Sequence, residues 1–165
     1  MNNEQALIAA FVTRSKRDRY REFLSNPRLR HKFTTCSCIS KISIPKYRVS
    51  IPSSKLFVNN ITAELQKRHS PSIVFAISED PALDQREIPL VDALEQIIGR
   101  GMGTVLSCIP GRLAFVETED ELFILERHGP LEKREYIRFV VRRKNEDSQV
   151  EQGVFQAAAP TTQGV

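Results

Sequence analysis

The chain has 165 residues, enough for one domain with a hydrophobic core and no need of a metal or disulfide. Apolar residues make up 41% and charged residues 27%, the balance of a globular protein, and no apolar run is long enough to cross a membrane. Three cysteines, with Cys36 and Cys38 one residue apart, do not suggest a disulfide framework. The apolar patch Ala6–Val12 follows Glu4, not a basic stretch, and lacks a small-residue cleavage site, so the expectation is a cytoplasmic protein without a signal peptide.

The net charge of +4 is unevenly spread. Residues 14–32 hold eight Lys/Arg against two acids, a net of +6, and residues 33–76 hold six against one, a net of +5. Residues 77–135 reverse this, with thirteen acids, six basic residues and a net of −7. Such polarity fits a basic half that meets an acidic partner. It fits equally well two halves that pair within the fold or across a dimer.

In chain order, residues 4–24 read as a helix. Leu7, Ile8, Phe11 and Val12 form its apolar stripe, and Tyr20, Phe23 and Leu24 continue it about a shifted centre, which implies a bend. Arg14, Arg17 and Arg21 fall at i, i+3 and i+7 on the opposite side. Ser25-Asn26-Pro27 stops and restarts the chain, with Asn26 as a cap and Pro27 in the first turn. The helix then expected, about 27–35, turns Leu29 and Phe33 inward and Arg28, Arg30 and Lys32 outward. Ile42–Ile51 is β-like, and Pro45 limits it to an edge strand or irregular extension. A helix capped by Ser53 or Ser54 should run to about Arg68, burying Phe57, Ile61 and Leu65.

Ser72–Ser78 reads as a buried strand and 79–89 as an acidic loop. Leu90, Val91, Leu94, Ile97 and Ile98 give a clear helical period that Gly99 ends. Three strand-like runs follow, Thr104–Ile109, Arg112–Glu117 and Glu121–Arg127, the first two joined by Ile109-Pro110-Gly111-Arg112, which suits a type II turn. A fourth run is Tyr136–Arg143, and 145–165 reads as a disordered tail. The order strand, helix, strand over residues 72–109 suggests a parallel pair, and the later strands an antiparallel meander. The expected architecture is α+β: N-terminal helices packed on one face of a mixed, mainly antiparallel sheet. It forms a single domain over 1–144, with a basic helical segment 4–35 and a mixed α/β portion 42–144.

No motif names a reaction. Glu79, Asp80, Asp84 and Glu87 could together offer oxygens to a divalent cation, but their spacing matches no calcium loop. Gly99-Arg100-Gly101-Met102-Gly103 follows a helix and precedes a strand, the reverse of a phosphate cradle, so a helix stop and tight turn explain it better. Cys36, Cys38 and Cys108 with His31, His69 or His128 lack the two close ligand pairs of structural zinc. Cys108 with His128 would be a nucleophile only with a base in reach and a lowered pKa, and a buried thiol is the simpler reading.

Two stretches, KRDRYREFLSNPRLRHKF and EDPALDQREIPLVDALEQIIGRGMGTVLSCIPGRLAFVE, about a third of the chain, resemble small bacterial proteins without an assigned activity. The resemblance implies a bacterial cytosolic domain and carries over no catalytic residue. The leading expectation is therefore a non-enzymatic binding or regulatory module. Its site would be Arg14, Arg17, Arg21, Arg28, Arg30 and Lys32, and its partner nucleic acid or an acidic protein surface. The alternatives are a small metal-dependent hydrolase or nuclease using the acidic loop 79–87, and a structural homodimer with charge-paired halves. No catalytic residue, metal ligand or cofactor is assigned.

Overall fold

The structure, a computed structural model, describes residues 2–35, 38–52, 54 and 56–128. The first compact unit is Met1–His128; a second, Gly129–Val165, lies outside the described residues, as do the expected strand Tyr136–Arg143, the expected tail 145–165 and Cys36.

The long N-terminal helix is in fact two. Helix α1 (Asn3–Phe11) is capped by Asn2, whose Oδ1 accepts the N–H of Gln5 at 2.8 Å. It stops at Val12, which is extended and bridges Ser43. The freed backbone groups find new partners there: Thr13 N–H donates to Ile42 O at 3.0 Å, and Ile44 N–H to Phe11 O at 2.8 Å. A 3-10 turn (Arg14–Lys16) leads into α2 (Arg17–Ser25), which buries Tyr20, Phe23 and Leu24. Short helices α3 (His31–Thr34) and α4 (Cys38–Ile42) complete this layer. The β-like run Ile42–Ile51 reduces to a 3-10 turn (Pro45–Tyr47), with proline in its first turn, and strand β1 (Arg48–Ser50).

Helix α5 (Val58–Lys67) buries Ile61 and Leu65 but starts too late to bury Phe57, which sits at its N-cap, 68% exposed. There follow β2 (Ile73–Ser78), β3 (Glu87–Pro89), α6 (Leu90–Ile97), β4 (Thr104–Ile109), β5 (Leu113–Glu117) and β6 (Leu122–Glu126). The sheet order is β1-β6-β5-β4-β2-β3, and every pairing is antiparallel. The expected parallel pair, β2 with β4, is antiparallel. The reason is β3, hidden at the end of the acidic loop: it reverses the chain beside β2, so α6 carries it back over β2 to a strand running the other way.

The α+β class stands, with helices on both faces of the sheet rather than one. Strand β5 is buried at every position, which requires a cover on each side. Ala114, Val116, Phe123 and Leu125 face α1–α4, packing with Phe11, Phe23 and Phe33. Leu113, Phe115, Ile124 and Leu106 face α5 and α6, packing with Ile61, Leu65, Leu94 and Ile97.

One buried ion group ties three distant segments together. The guanidinium of Arg30, expected outward, points inward with 10% of its side chain exposed. Its Nε lies 2.5 Å from Asp84 Oδ2 and its Nη2 2.9 Å from Asp84 Oδ1, a two-pronged contact. Nη2 also meets Glu4 Oε1 at 2.5 Å, and Nη1 donates to Leu24 O at 3.0 Å. Asp84 Oδ1 further accepts the N–H of Ser78 at 3.0 Å. Desolvation lowers the pKa of Arg30, but the hydrogen bonds with Asp84 and Glu4 outweigh it, and the net direction is upward. A second guanidinium, Arg68, joins α5 to β6, with Nε 3.0 Å from Glu126 Oε2 and Nη1 2.8 Å from Glu64 O.

The turn between β4 and β5 is as the sequence suggests: Arg112 N–H reaches Ile109 O at 2.9 Å and Gly111 has φ +70. A Cβ on Gly111 would stand 3.4 Å from Ala6 O and 3.7 Å from Ala10 Cβ, so the turn also rests on α1. Gly111→Ala should therefore lose about 1–2 kcal/mol from backbone strain and crowding together, measured by denaturant unfolding. Asp84→Ala leaves Arg30 buried with half its carboxylate partners; a loss of ~3 kcal/mol is expected in the same assay, at the low end for a buried pair because water still reaches its edge.

Candidate functional site

The six basic residues proposed from the sequence divide into two groups. Arg30 is internal, as described above. Arg17 is half-buried, its Nε donating to Val12 O at 3.0 Å, where it caps the end of α1. Arg21 pairs with Asp18 at 2.7 Å. The break at Val12 also removes the single helical face that the spacing of Arg14, Arg17 and Arg21 implied, since Arg14 lies in the 3-10 turn and not in α2.

Arg14, Arg28 and Lys32 are exposed, and so are Lys16, Arg19, Lys41 and Lys46. Among the described residues none of these seven has an ion-pair partner. Arg19 is the residue that sequence reasoning misses, because Glu22 three positions on looks like its partner. Its guanidinium instead lies 5.3 Å from the centroid of the Phe23 ring, and the Nζ of Lys32 lies 5.8 Å from the same centroid. The two distances together hold the two charges within about 11 Å of each other. Phe23 is itself fixed by the core and by an edge-on contact with Tyr20, so a rigid ring draws both cations toward one place, by about 0.5–1 kcal/mol each. The helix α2 supplies one cation and α3 the other, a juxtaposition that no local spacing encodes.

The acidic loop is occupied with structure. Asp84 holds Arg30, and Asp80 Oδ1 accepts the N–H of Ala82 at 2.8 Å. Among the described residues no group of three or more His, Cys, Asp or Glu side chains is placed to hold a metal ion. Cys108 is buried against α5 and α6, and its thiol is pushed up to about 11 by desolvation. His128 is exposed and faces Glu126 at 3.4 Å, so the thiol has neither a lowered pKa nor that histidine as a base.

The glycine loop does cradle an acidic group, and the group is the protein's own, the carboxyl of Glu117. Gly99 and Gly101 have φ +81 and +65, and the N–H of Gly99 donates to Glu117 Oε1 at 2.8 Å. Glu117 ends β5, 1% exposed, and its Oε2 has no partner among the described residues. Desolvation raises its pKa, and the backbone N–H groups of Gly99, Gly101 and Arg100 only partly counter this. With the folded-state pKa raised, the folded chain keeps a proton that the unfolded chain gives up. This contribution to stability is complete below the ordinary glutamate range and is lost as pH rises through the folded pKa. Glu117→Gln retains the acceptor for Gly99 and removes the ionisation. Melting curves across that window should therefore show wild type losing ground to the variant as pH rises; a constant gap would contradict this.

No family model, no curated protein and no solved structure matches the chain.

Proposed function

We propose that this protein is a binding module for the phosphate backbone of nucleic acid, and that the outer face of α1–α4 makes the contact. The observation that carries this reading is the surplus of exposed, unpaired cations there, with Arg19 and Lys32 brought together at Phe23. Guanidinium and ammonium groups fixed in this way suit phosphate oxygens, which position a protein on nucleic acid without reading its sequence.

One feature favours nucleic acid over an acidic protein surface. Protein interfaces are anchored by aromatic and arginine side chains buried in well-packed pockets at their centre. The large hydrophobic residues exposed in the described structure are Phe57, Ile73 and Val91, and all lie outside the basic layer. The rings at the Arg19–Lys32 pair are unsuited to stacking on bases, since Tyr20 and Phe23 are at most 8% exposed. The reading is therefore of contact through the backbone, with little preference for sequence.

Fluorescence anisotropy with labelled duplexes of unrelated sequence should show binding at ~50 mM salt that falls steeply towards ~200 mM. Arg19→Ala with Lys32→Ala should weaken it about tenfold and reduce the slope of log K against log salt by about 2, close to 0.9 for each phosphate no longer neutralised. Wild-type protein that binds no nucleic acid at the lower salt would overturn the reading.

A further inference from the structure

A second ring in the same layer holds two cations in the same manner. The Nζ of Lys46 lies 4.9 Å from the centroid of Tyr47, and the guanidinium of Arg127 lies 6.0 Å from it. Tyr47 is half-buried and packs edge-on against Phe11 of α1 at 6.1 Å, so it too is a fixed support. Lys46 belongs to the 3-10 turn before β1, whereas Arg127 follows β6, 81 positions further along the chain. Side chains alternate along a strand, and Phe123 and Leu125 face α1–α4, so Arg127 projects to that same side. Both cations are exposed, and neither has an ion-pair partner among the described residues.

The neighbouring Arg48 shows what a structural cation looks like here. Its guanidinium stacks 4.2 Å from the Phe123 centroid, but it is also paired with Glu121 and donates to Ser40 O at 3.2 Å. Lys46 and Arg127 have no such carboxylate, although the ring keeps them within about 11 Å of each other. Two like charges this near each other, with no carboxylate beside them, attract an anion more strongly than either does alone, most of all at low salt, where screening is weakest.

We infer that the Lys46–Tyr47–Arg127 cluster is a second anchor for the nucleic-acid backbone, which runs from the Phe23 pair on α2 and α3 to the β1–β6 edge of the sheet. This rests on the reading of the basic layer as a phosphate-binding face. It adds to that face a residue, Arg127, from the half of the chain whose net charge is negative. Two anchors on one layer call for a ligand long enough to reach both. Binding should therefore depend on length: a duplex of about 4 base pairs, closed by a loop so that its strands stay paired, covers one anchor, and one of about 20 is long enough to reach past both, at 3.4 Å for each pair.

The test compares wild type, Lys46→Ala/Arg127→Ala and Arg19→Ala/Lys32→Ala on the long duplex over a salt series, with thermal melts to confirm folding. The expected result for the Lys46/Arg127 variant is about tenfold weaker binding, a salt slope smaller by about 2, and loss of the advantage of long over short duplex. Lys46→Arg/Arg127→Lys should restore all three, which a merely structural role for the side chains would not require. If the alanine pair lowers the melting temperature, Lys46→Gln/Arg127→Gln, which keeps the side-chain stems, replaces it. Unchanged affinity and slope in the Lys46/Arg127 variant, with a clear loss in the Arg19/Lys32 variant, overturns the second anchor and leaves the first. Wild type that binds neither duplex overturns both.

Discussion

The arrangement of this domain depends on one guanidinium. Arg30 is taken out of water in a turn between two helices, and the cost of that desolvation is met only if its donors are satisfied. Asp84, Glu4 and the carbonyl of Leu24 satisfy them, and they come from the β2–β3 loop, the start of α1 and the end of α2. Hydrophobic packing has little directional preference; a planar fork that must meet a carboxylate does. The ion group therefore sets where the N-terminal layer sits on the sheet, while Phe11, Phe23 and Phe33 supply the buried area.

The same contact explains how the charge asymmetry of the sequence is used. Part of the basic half does meet the acidic half within the domain: Arg30 with Asp84, Arg48 with Glu121, Arg68 with Glu126. Those three acids are thereby occupied within the domain. What is left over is not the arginine stripe that spacing suggests but a set of side chains selected by tertiary structure. Two of them meet at Phe23, and two more at Tyr47.

Much of the fold was legible in the residues, for identifiable reasons. The helix Leu90–Ile97 has a strict apolar period and a glycine stop, and the β4–β5 turn has proline and glycine where the backbone needs them. Both are local signals. The breaks in the reading came where a distant segment decides. Val12 leaves its helix because Ile42 O and the N–H of Ile44, on either side of the bridge residue Ser43, offer backbone partners far along the chain. Strand β3 has three residues, one of them proline, and shows no alternation to detect. Its reversal of the chain turned an expected parallel pair into an antiparallel one. The cover on the second face of the sheet could have been found, since Leu113-Ala114-Phe115-Val116 is apolar at consecutive positions, which a strand wetted on one side would not be. The candidate site was legible only as a quantity of charge. Which cations are free is a property of the pairs formed by the others, and Arg19 and Arg127 could not be singled out without them.

Among the described residues, the strands that end the sheet are β1 and β3, each three residues long. An open sheet edge is a row of unsatisfied donors and acceptors that another chain can extend, and length is what makes such an edge adhesive. Here one border carries Arg48 and the other closes with Pro89, which has no N–H to give. Among the described residues, both margins of the sheet are thus poor templates for growth. The outer strands shield the edges of the sheet more than they enlarge it.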